Sequence, residues 1–172
     1  MEVITERFYE PSSTSPLNDL PEEIFEDLET SLAFITGLPV EISIVKQNDK
    51  WLLYSRSREI KQTGVRAGCF VFNFEFILPA IPGDSCAYDA SPQVKISNLT
   101  IAPRRKGLGT KVVRRFLLLI RNTPFTRIVL NARDSAAASF WQSLGFDYVS
   151  PNRDLRPEMP SMFLSLKPGA VL

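Results

Sequence analysis

The sequence predicts one α/β (α+β) domain with a central, mixed but mostly antiparallel sheet and flanking helices. The chain has 172 residues, the size of one ordinary domain that can bury a full core. The spacing of its apolar residues is helical up to Gly37 and alternates from Glu41 onward. From Val94 an apolar strand pattern passes directly into a glycine turn and a second helical pattern. This order is typical of proteins that combine helices with a sheet.

The N-terminal region predicts a flexible arm over residues 1–18, followed by a single domain over residues 19–172. Residues 11–16 form a low-complexity piece of serine, threonine and proline that separates the first ten residues from the body. A helix follows and ends at Gly37. Its apolar stripe consists of Leu20, Ile24, Phe25, Leu28 and Leu32. Its acidic side is typical of a solvated surface, with attraction of a cationic amine as the alternative.

Alternating apolar residues predict three strands in the middle of the chain. Residues 41–45 and 51–54 flank a turn sequence and predict a hairpin. Residues 68–78 predict a longer strand whose buried face carries Phe70, Phe72, Phe74 and Phe76. The opposite face carries Asn73 and Glu75 in line. If this strand pairs with the one that starts at Val94, these two side chains lie beside the site inferred below.

A glycine turn separates the strand pattern of residues 94–101 from the helical pattern that ends near Ile120. Cations crowd the turn and the start of the helix: Arg104, Arg105, Lys106 and Lys111. A helix start normally prefers acidic residues, because its backbone N–H groups lack partners and its macrodipole is positive there. A bound anion would relieve this conflict, so residues 104–110 are predicted to bind a phosphate-bearing ligand. The alternative is that Gly107 and Gly109 form only a tight turn with solvated cations.

The spacing of the glycines selects among the known phosphate-binding loops. A P-loop needs a longer spacer, whereas a single residue separates Gly107 from Gly109. A dinucleotide fingerprint needs a third glycine where Val112 stands. The run Arg104-Arg105-Lys106-Gly107-Leu108-Gly109 instead resembles the Q/R-x-x-G-x-G/A loop of the GNAT superfamily of acyl-CoA-dependent N-acetyltransferases.

The resemblance continues through the C-terminal region, so that it covers residues 94 to about 166. Residues 134–146 look like the second signature of the family, a helix that closes in a Gly-Phe pair. The apolar stripe of this helix is spaced to pack on a sheet, and Gly145 ends it. Three short strands are predicted, at residues 127–131, 146–149 and 162–166.

The resemblance implies a fold and a cosubstrate. In the family, two neighbouring parallel strands of the sheet splay apart, and acetyl-CoA lies in the gap. By this analogy the backbone N–H groups of residues 106–110 hold the pyrophosphate. Backbone groups of Leu99 and Ile101 bond the pantetheine arm and the thioester oxygen. The cofactor-binding set is Leu99, Ile101, Arg104, Arg105, Lys106, Gly107, Leu108, Gly109, Thr110, Ser139 and Trp141.

The resemblance also implies an activity, the transfer of an acetyl group from acetyl-CoA to a primary amine. The neutral amine attacks the thioester directly, while a base takes the ammonium proton and an acid meets the thiolate. Glu75 is predicted as the base and Asp89 is the second choice, since a carboxylate in a phenylalanine-rich strand suits this role. The acceptor is a small-molecule or protein amine.

The acid is the point at which the chain departs from the family. The usual tyrosine falls on Trp141, whose indole N–H does not ionise usefully. Tyr148 is predicted as the replacement, with Tyr88 and Ser139 as alternatives. The missing tyrosine leaves a second hypothesis open, a non-catalytic acyl-CoA-binding module of the same fold.

Composition limits the remaining function classes. With 20 Lys+Arg and 19 Asp+Glu the net charge is +1, which argues against a large nucleic-acid or membrane interface. A local basic patch keeps a nucleic-acid-directed or tRNA-directed acetyltransferase as a third, weaker hypothesis. The patch consists of Arg104, Arg105, Arg114, Arg115 and Arg121. The absence of histidine excludes a Ser-His-Asp triad and removes the commonest metal ligand, so no metal site is predicted.

Cysteine usage and the N-terminus predict a cytoplasmic location. Cys69 and Cys86 do not have the C-x-x-C spacing, and reduced thiols are the default for such a chain. The first residues lack the basic start and apolar run of a signal peptide, and no apolar run is long enough to span a membrane. The sequence leaves the oligomeric state open, with a homodimer as one option.

Overall fold

A computed structural model of the protein describes Leu20 and residues 23–46, 50–57, 68–78, 91–102, 107–149 and 159–166. Within these ranges the chain forms three helices and seven strands. In chain order they are α1 (Glu23–Thr36), β1 (Val40–Lys46), β2 (Lys50–Ser57), β3 (Cys69–Ile77), β4 (Gln93–Ala102), α2 (Leu108–Ile120), β5 (Arg127–Asn131), α3 (Ser135–Gln142), β6 (Asp147–Tyr148) and β7 (Ser161–Ser165). Several predicted features lie outside the described residues: the arm of residues 1–18, the hairpin turn, Tyr88, Asp89, Arg104, Arg105 and Lys106.

The strands form one sheet in the order β1-β2-β3-β4-β5-β7-β6. Every neighbouring pair is antiparallel except β4 and β5, which are parallel. β4 and β5 pair only over Gln93–Ile96 and Arg127–Leu130, and beyond these residues they separate. The predicted fold class, a mixed but mostly antiparallel sheet with a splayed parallel pair and flanking helices, is therefore confirmed.

The strand with four phenylalanines lies inside the sheet and forms the centre of the core. These residues, Phe70, Phe72, Phe74 and Phe76, are each at most 1% exposed. The ring of Phe116 in α2 lies 5.0 Å from the Phe72 ring and 4.6 Å from the Phe74 ring. The ring of Phe25 in α1 lies 6.1 Å from that of Phe76. Both helices therefore cover the same face of the sheet, the one predicted to be buried.

α1 contacts the rest of this face through acidic residues as well as through its apolar stripe. The helix buries Phe25, Leu28 and Leu32, as predicted. The guanidinium of Arg115 in α2 donates a hydrogen bond to the Asp27 carboxylate. The backbone N–H of Ile42 in β1 donates to Glu29 Oε2 at 2.8 Å. Two acidic side chains thus hold α1 to its neighbours, so the prediction of a merely solvated acidic side does not apply to them. Arg115, a member of the basic patch, is neutralised by the same contact.

The C-terminal part of the sheet has the predicted order of elements. β5 buries Ile128 and Leu130, and β7 lies between β5 and the edge strand β6. α3 is followed by Gly145 with a φ of +91°, which matches the predicted end of that helix. Across the described ranges, no helix combines the length and the apolar character that crossing a membrane requires.

Candidate functional site

The separation of β4 from β5 opens a cleft of about 730 Å³. Beyond Ile96, β4 continues to Ala102 with β3 as its only strand partner in the described part of the chain. Within the described ranges the backbone N–H and C=O groups along its other edge have no strand partner, so they can bond an extended ligand that carries amide groups. The cleft is lined by residues 96–101 of β4, by residues 107–110 at the start of α2, and by Leu130, Asn131, Arg133, Asp134, Ala136, Ala137, Phe140, Trp141 and Met159.

The start of α2 forms one end of the cleft. Among the described residues it lacks the side-chain cap and the acidic residues that usually stabilise a helix start. Gly107 is the N-cap residue, and its φ of +69° is a conformation that favours glycine. Among the described residues no side chain caps this helix, and its first turn contains no acidic residue. The backbone N–H groups of Leu108, Gly109 and Thr110 are therefore available at the cleft, the arrangement that binds phosphate groups.

Gly109 also allows α3 to approach the start of α2 closely. A Cβ atom at this position would lie 3.3 Å from Cζ of Phe140, tighter than an ordinary van der Waals contact. The Phe140 side chain lines the cleft as well. The glycine thus has a packing role in addition to the predicted one, because it brings the helix start and the α3 wall together.

The wall formed by α3 is anchored at its first residue. The backbone N–H of Ala137 donates a hydrogen bond to Asp134 Oδ1 at 2.8 Å, so Asp134 is the N-cap of α3. This hydrogen bond, with a smaller contribution from Arg133, holds the pKa of the Asp134 carboxyl below its usual value. The Arg133 side chain is 78% exposed and lines the cleft, and its Nε lies 3.5 Å from Asp134 Oδ2, so these two charges offset each other.

Trp141, the residue at which the resemblance led us to expect a tyrosine acid, is a packing residue. Trp141 is 6% exposed, and its ring lies 5.0 Å from that of Phe140 and 5.2 Å from that of Phe146. Tyr148 lies on the edge strand β6 and is 44% exposed, and it is not among the residues that line the cleft. Ser139 is also outside the cleft lining, and its hydroxyl donates to the backbone carbonyl of Ser135 at 3.0 Å.

Glu75 lies beside the cleft and is connected to it through one side chain. It is half-buried on β3, on the face opposite the phenylalanines, where the prediction placed it together with Asn73. The hydroxyl of Ser97 donates a hydrogen bond to Glu75 Oε1 at 3.0 Å, and Ser97 itself lines the cleft. The predicted base is therefore one hydrogen bond away from the space that a ligand would occupy.

The cleft brings together a large part of the predicted cofactor-binding set: Leu99, Ile101, Gly107, Leu108, Gly109, Thr110 and Trp141. It leaves out Ser139, Glu75 and Tyr148, and the roles predicted for all of these residues stay predictions. Five polar lining residues had no predicted role in the site: Ser97, Asn98, Thr100, Asn131 and Arg133. A signal for the first three was present, because they are the polar side chains in the second half of an otherwise apolar strand.

Comparisons with known proteins return similar structures at low identity. No protein-family model and no curated protein matches the sequence. The KacTA–DNA complex is 15% identical and has a TM-score of 0.43, and the match covers 70% of this chain and 70% of that one. AtaTR bound with AcCoA is 16% identical with a TM-score of 0.43, over 68% and 70% of the two chains. Ard1 from Thermoplasma volcanium is 18% identical with a TM-score of 0.38, over 58% and 71%.

Proposed function

We propose that the protein is an N-acetyltransferase that uses acetyl-CoA and transfers its acetyl group to a primary amine of a small molecule or a protein. One observation carries the proposal. The cleft between two separating parallel strands ends at a helix start whose backbone N–H groups have no side-chain cap among the described residues. An elongated thioester with amides along its middle and a diphosphate at one end fits both features. The glycine loop that resembles the GNAT loop stands at this same point of the chain.

The cleft supports a division of roles among its walls. The N–H groups of residues 108–110, at the positive end of the α2 macrodipole, would hold the diphosphate. The free backbone edge of β4 at Leu99 and Ile101 would bond the pantetheine amides and the thioester oxygen. Glu75 would accept the proton of the acceptor ammonium. With the thioester held in place, attack by the amine needs no covalent enzyme intermediate.

The environment of Trp141 favours a second candidate function. A buried indole packed between aromatic rings stands where the family has its acid, and Tyr148 is outside the cleft lining. A protein that binds acyl-CoA without turning it over would fit these two facts. Incubation with acetyl-CoA and a panel of primary amines separates the candidates, since release of free thiol supports the transferase. Binding of CoA in calorimetry without thiol release from any amine would establish the binding module instead.

The placement of the diphosphate is tested by a charge at the start of α2. Thr110→Glu adds a carboxylate where the helix macrodipole is positive, so the free protein should gain about 0.3–1 kcal/mol of stability. The same carboxylate repels the diphosphate, so the affinity for CoA should fall by about tenfold or more. Thr110→Gln has nearly the same shape without the charge and is the matched control. Calorimetry with CoA and thermal unfolding measure the two effects, and an unchanged CoA affinity in Thr110→Glu would refute this placement.

A further inference from the structure

Ser97 stands at the point where the cleft begins. The register between β3 and β4 passes from Phe74 opposite Ile96 to Asn73 opposite Asn98, which leaves Ser97 without a cross-strand partner. This extra residue is a β-bulge, a feature that often re-aims a side chain next to a functional site. The pairing of β4 with β5 ends at Ile96, one residue earlier. The hydroxyl of Ser97 is therefore placed at the closed end of the cleft, opposite the end formed by α2.

Among the described residues, the Ser97 hydroxyl is the group that connects the Glu75 carboxylate to the cleft. Ser97 Oγ donates to Glu75 Oε1 at 3.0 Å, whereas Glu75 does not line the cleft in the described part of the protein. Lys95 is the register partner of Glu75 on β4, yet the described residues show no ion pair between them. A carboxylate that has no ion pair among the described residues, and that already accepts a hydrogen bond from a hydroxyl group, is suited to receive the proton of that hydroxyl.

We propose that Ser97 relays a proton from the acceptor amine to Glu75, an inference that rests on the proposed acetyl transfer. The thioester end of the cosubstrate points to the closed end of the cleft when its diphosphate lies at α2. Among the described residues, Ser97 is the cleft-lining side chain that is hydrogen-bonded to Glu75, so an amine that attacks at this end would contact the Ser97 hydroxyl. Ser97 is then the group in contact with the substrate, and Glu75 is the final base.

The step balances in protons and electrons. One proton moves from the ammonium nitrogen to Ser97 Oγ while the hydroxyl proton of Ser97 moves to Glu75 Oε1, which frees the nitrogen lone pair. The lone pair forms the N–C bond at the thioester carbon. The C–S bond breaks and its electron pair leaves with sulfur. The thiolate takes up a second nitrogen proton through solvent, and Glu75 releases its proton to solvent.

The test uses two small nucleophiles that differ in their need for a base. Ethylamine is protonated at neutral pH and must lose a proton before it attacks, whereas hydroxylamine is already neutral. Wild type, Ser97→Ala, Ser97→Thr and Glu75→Gln are each assayed with acetyl-CoA and either nucleophile. Ser97→Ala should lower the ethylamine rate by about a hundredfold, the range for loss of general base catalysis, with the hydroxylamine rate little changed. Ser97→Thr keeps the hydroxyl and should retain the ethylamine rate.

Further variants separate the relay from a structural role and from the proposed function. The double variant Ser97→Ala with Glu75→Gln should be no slower than either single variant, because the two groups act in series. Ser165→Ala, an exposed serine of β7 outside the cleft lining, is the control and should match wild type. If Ser97→Ala slows both nucleophiles equally, or if the double variant is additive, the relay is wrong while the transferase stands. If wild type binds CoA but releases thiol with neither nucleophile and with no amine of the panel described above, both proposals are wrong and the binding module remains.

Discussion

The two halves of β4 differ in their surroundings more than in their sequence. Gln93–Ile96 pairs with β3 on one side and β5 on the other, and Val94 and Ile96 are 0% and 5% exposed. Within the described ranges residues 98–102 pair with β3 alone, Ser97 has no cross-strand partner, and each residue from 97 to 102 is half-buried or exposed. The change occurs within one residue, at the Ser97 bulge. One strand can therefore hold the sheet together with its first half and leave an open edge along the cleft with its second.

The largest expected effect is a difference between the two halves in how much free energy of unfolding is lost when an isoleucine side chain is truncated. Ile96→Ala removes a buried side chain between two partner strands and should cost about 2–5 kcal/mol of unfolding free energy. Ile101→Ala removes the same atoms from the open half, where the side chain is only partly buried, and should cost about 1 kcal/mol. Urea unfolding followed by circular dichroism measures both. Equal losses would show that the open half is packed as tightly as the closed one, which contradicts the comparison.

The sequence carried more information about β4 than its strand pattern alone. The apolar residues Val94 and Ile96 have even numbers, whereas Leu99 and Ile101 have odd numbers. A regular strand keeps one phase, so this shift marks an extra residue between the two pairs. Register confirms it, because Ile96 and Leu99 lie opposite Phe74 and Phe72, which face the core. The bulge, and with it the start of the cleft, was therefore readable from the spacing of apolar residues.

Contacts between residues far apart in the chain were not readable in this way. The bond from Arg115 to Asp27 spans 88 positions, and each residue looked like an exposed surface charge. The approach of Phe140 to Gly109 depends on how α2 and α3 are placed over the sheet, which no local pattern fixes. Element types and the core face follow from periodicity, whereas the partners of polar side chains follow from packing.

A smaller effect concerns the closed part of the sheet, where two serines of β2 have opposite environments. Ser55 is 0% exposed, and its hydroxyl has no hydrogen-bond partner within the described residues. Ser57 Oγ instead accepts a hydrogen bond from the backbone N–H of Phe70 at 3.0 Å. Ser55→Ala removes a buried unsatisfied group and should stabilise the protein by about 1 kcal/mol, whereas Ser57→Ala should destabilise it by about the same amount. Thermal unfolding measures both, and a loss of stability in Ser55→Ala would contradict the assignment of its hydroxyl as unsatisfied.

The smallest effect concerns the α3 wall of the open half and depends on pH. The backbone N–H of Ala137 holds the pKa of Asp134 below its usual 3.8 in the folded protein. A carboxyl with a lowered folded pKa contributes stability that is present above its unfolded pKa and is lost as pH falls through the folded value. Asp134→Asn keeps an N-cap side chain without the charge. The stability that this cap contributes should therefore not depend on pH. The melting temperature of wild type should therefore fall more steeply than that of Asp134→Asn between about pH 5 and about pH 2. Parallel curves would mean that the charge of Asp134 does not stabilise this wall, which would then be held by packing around Trp141 alone.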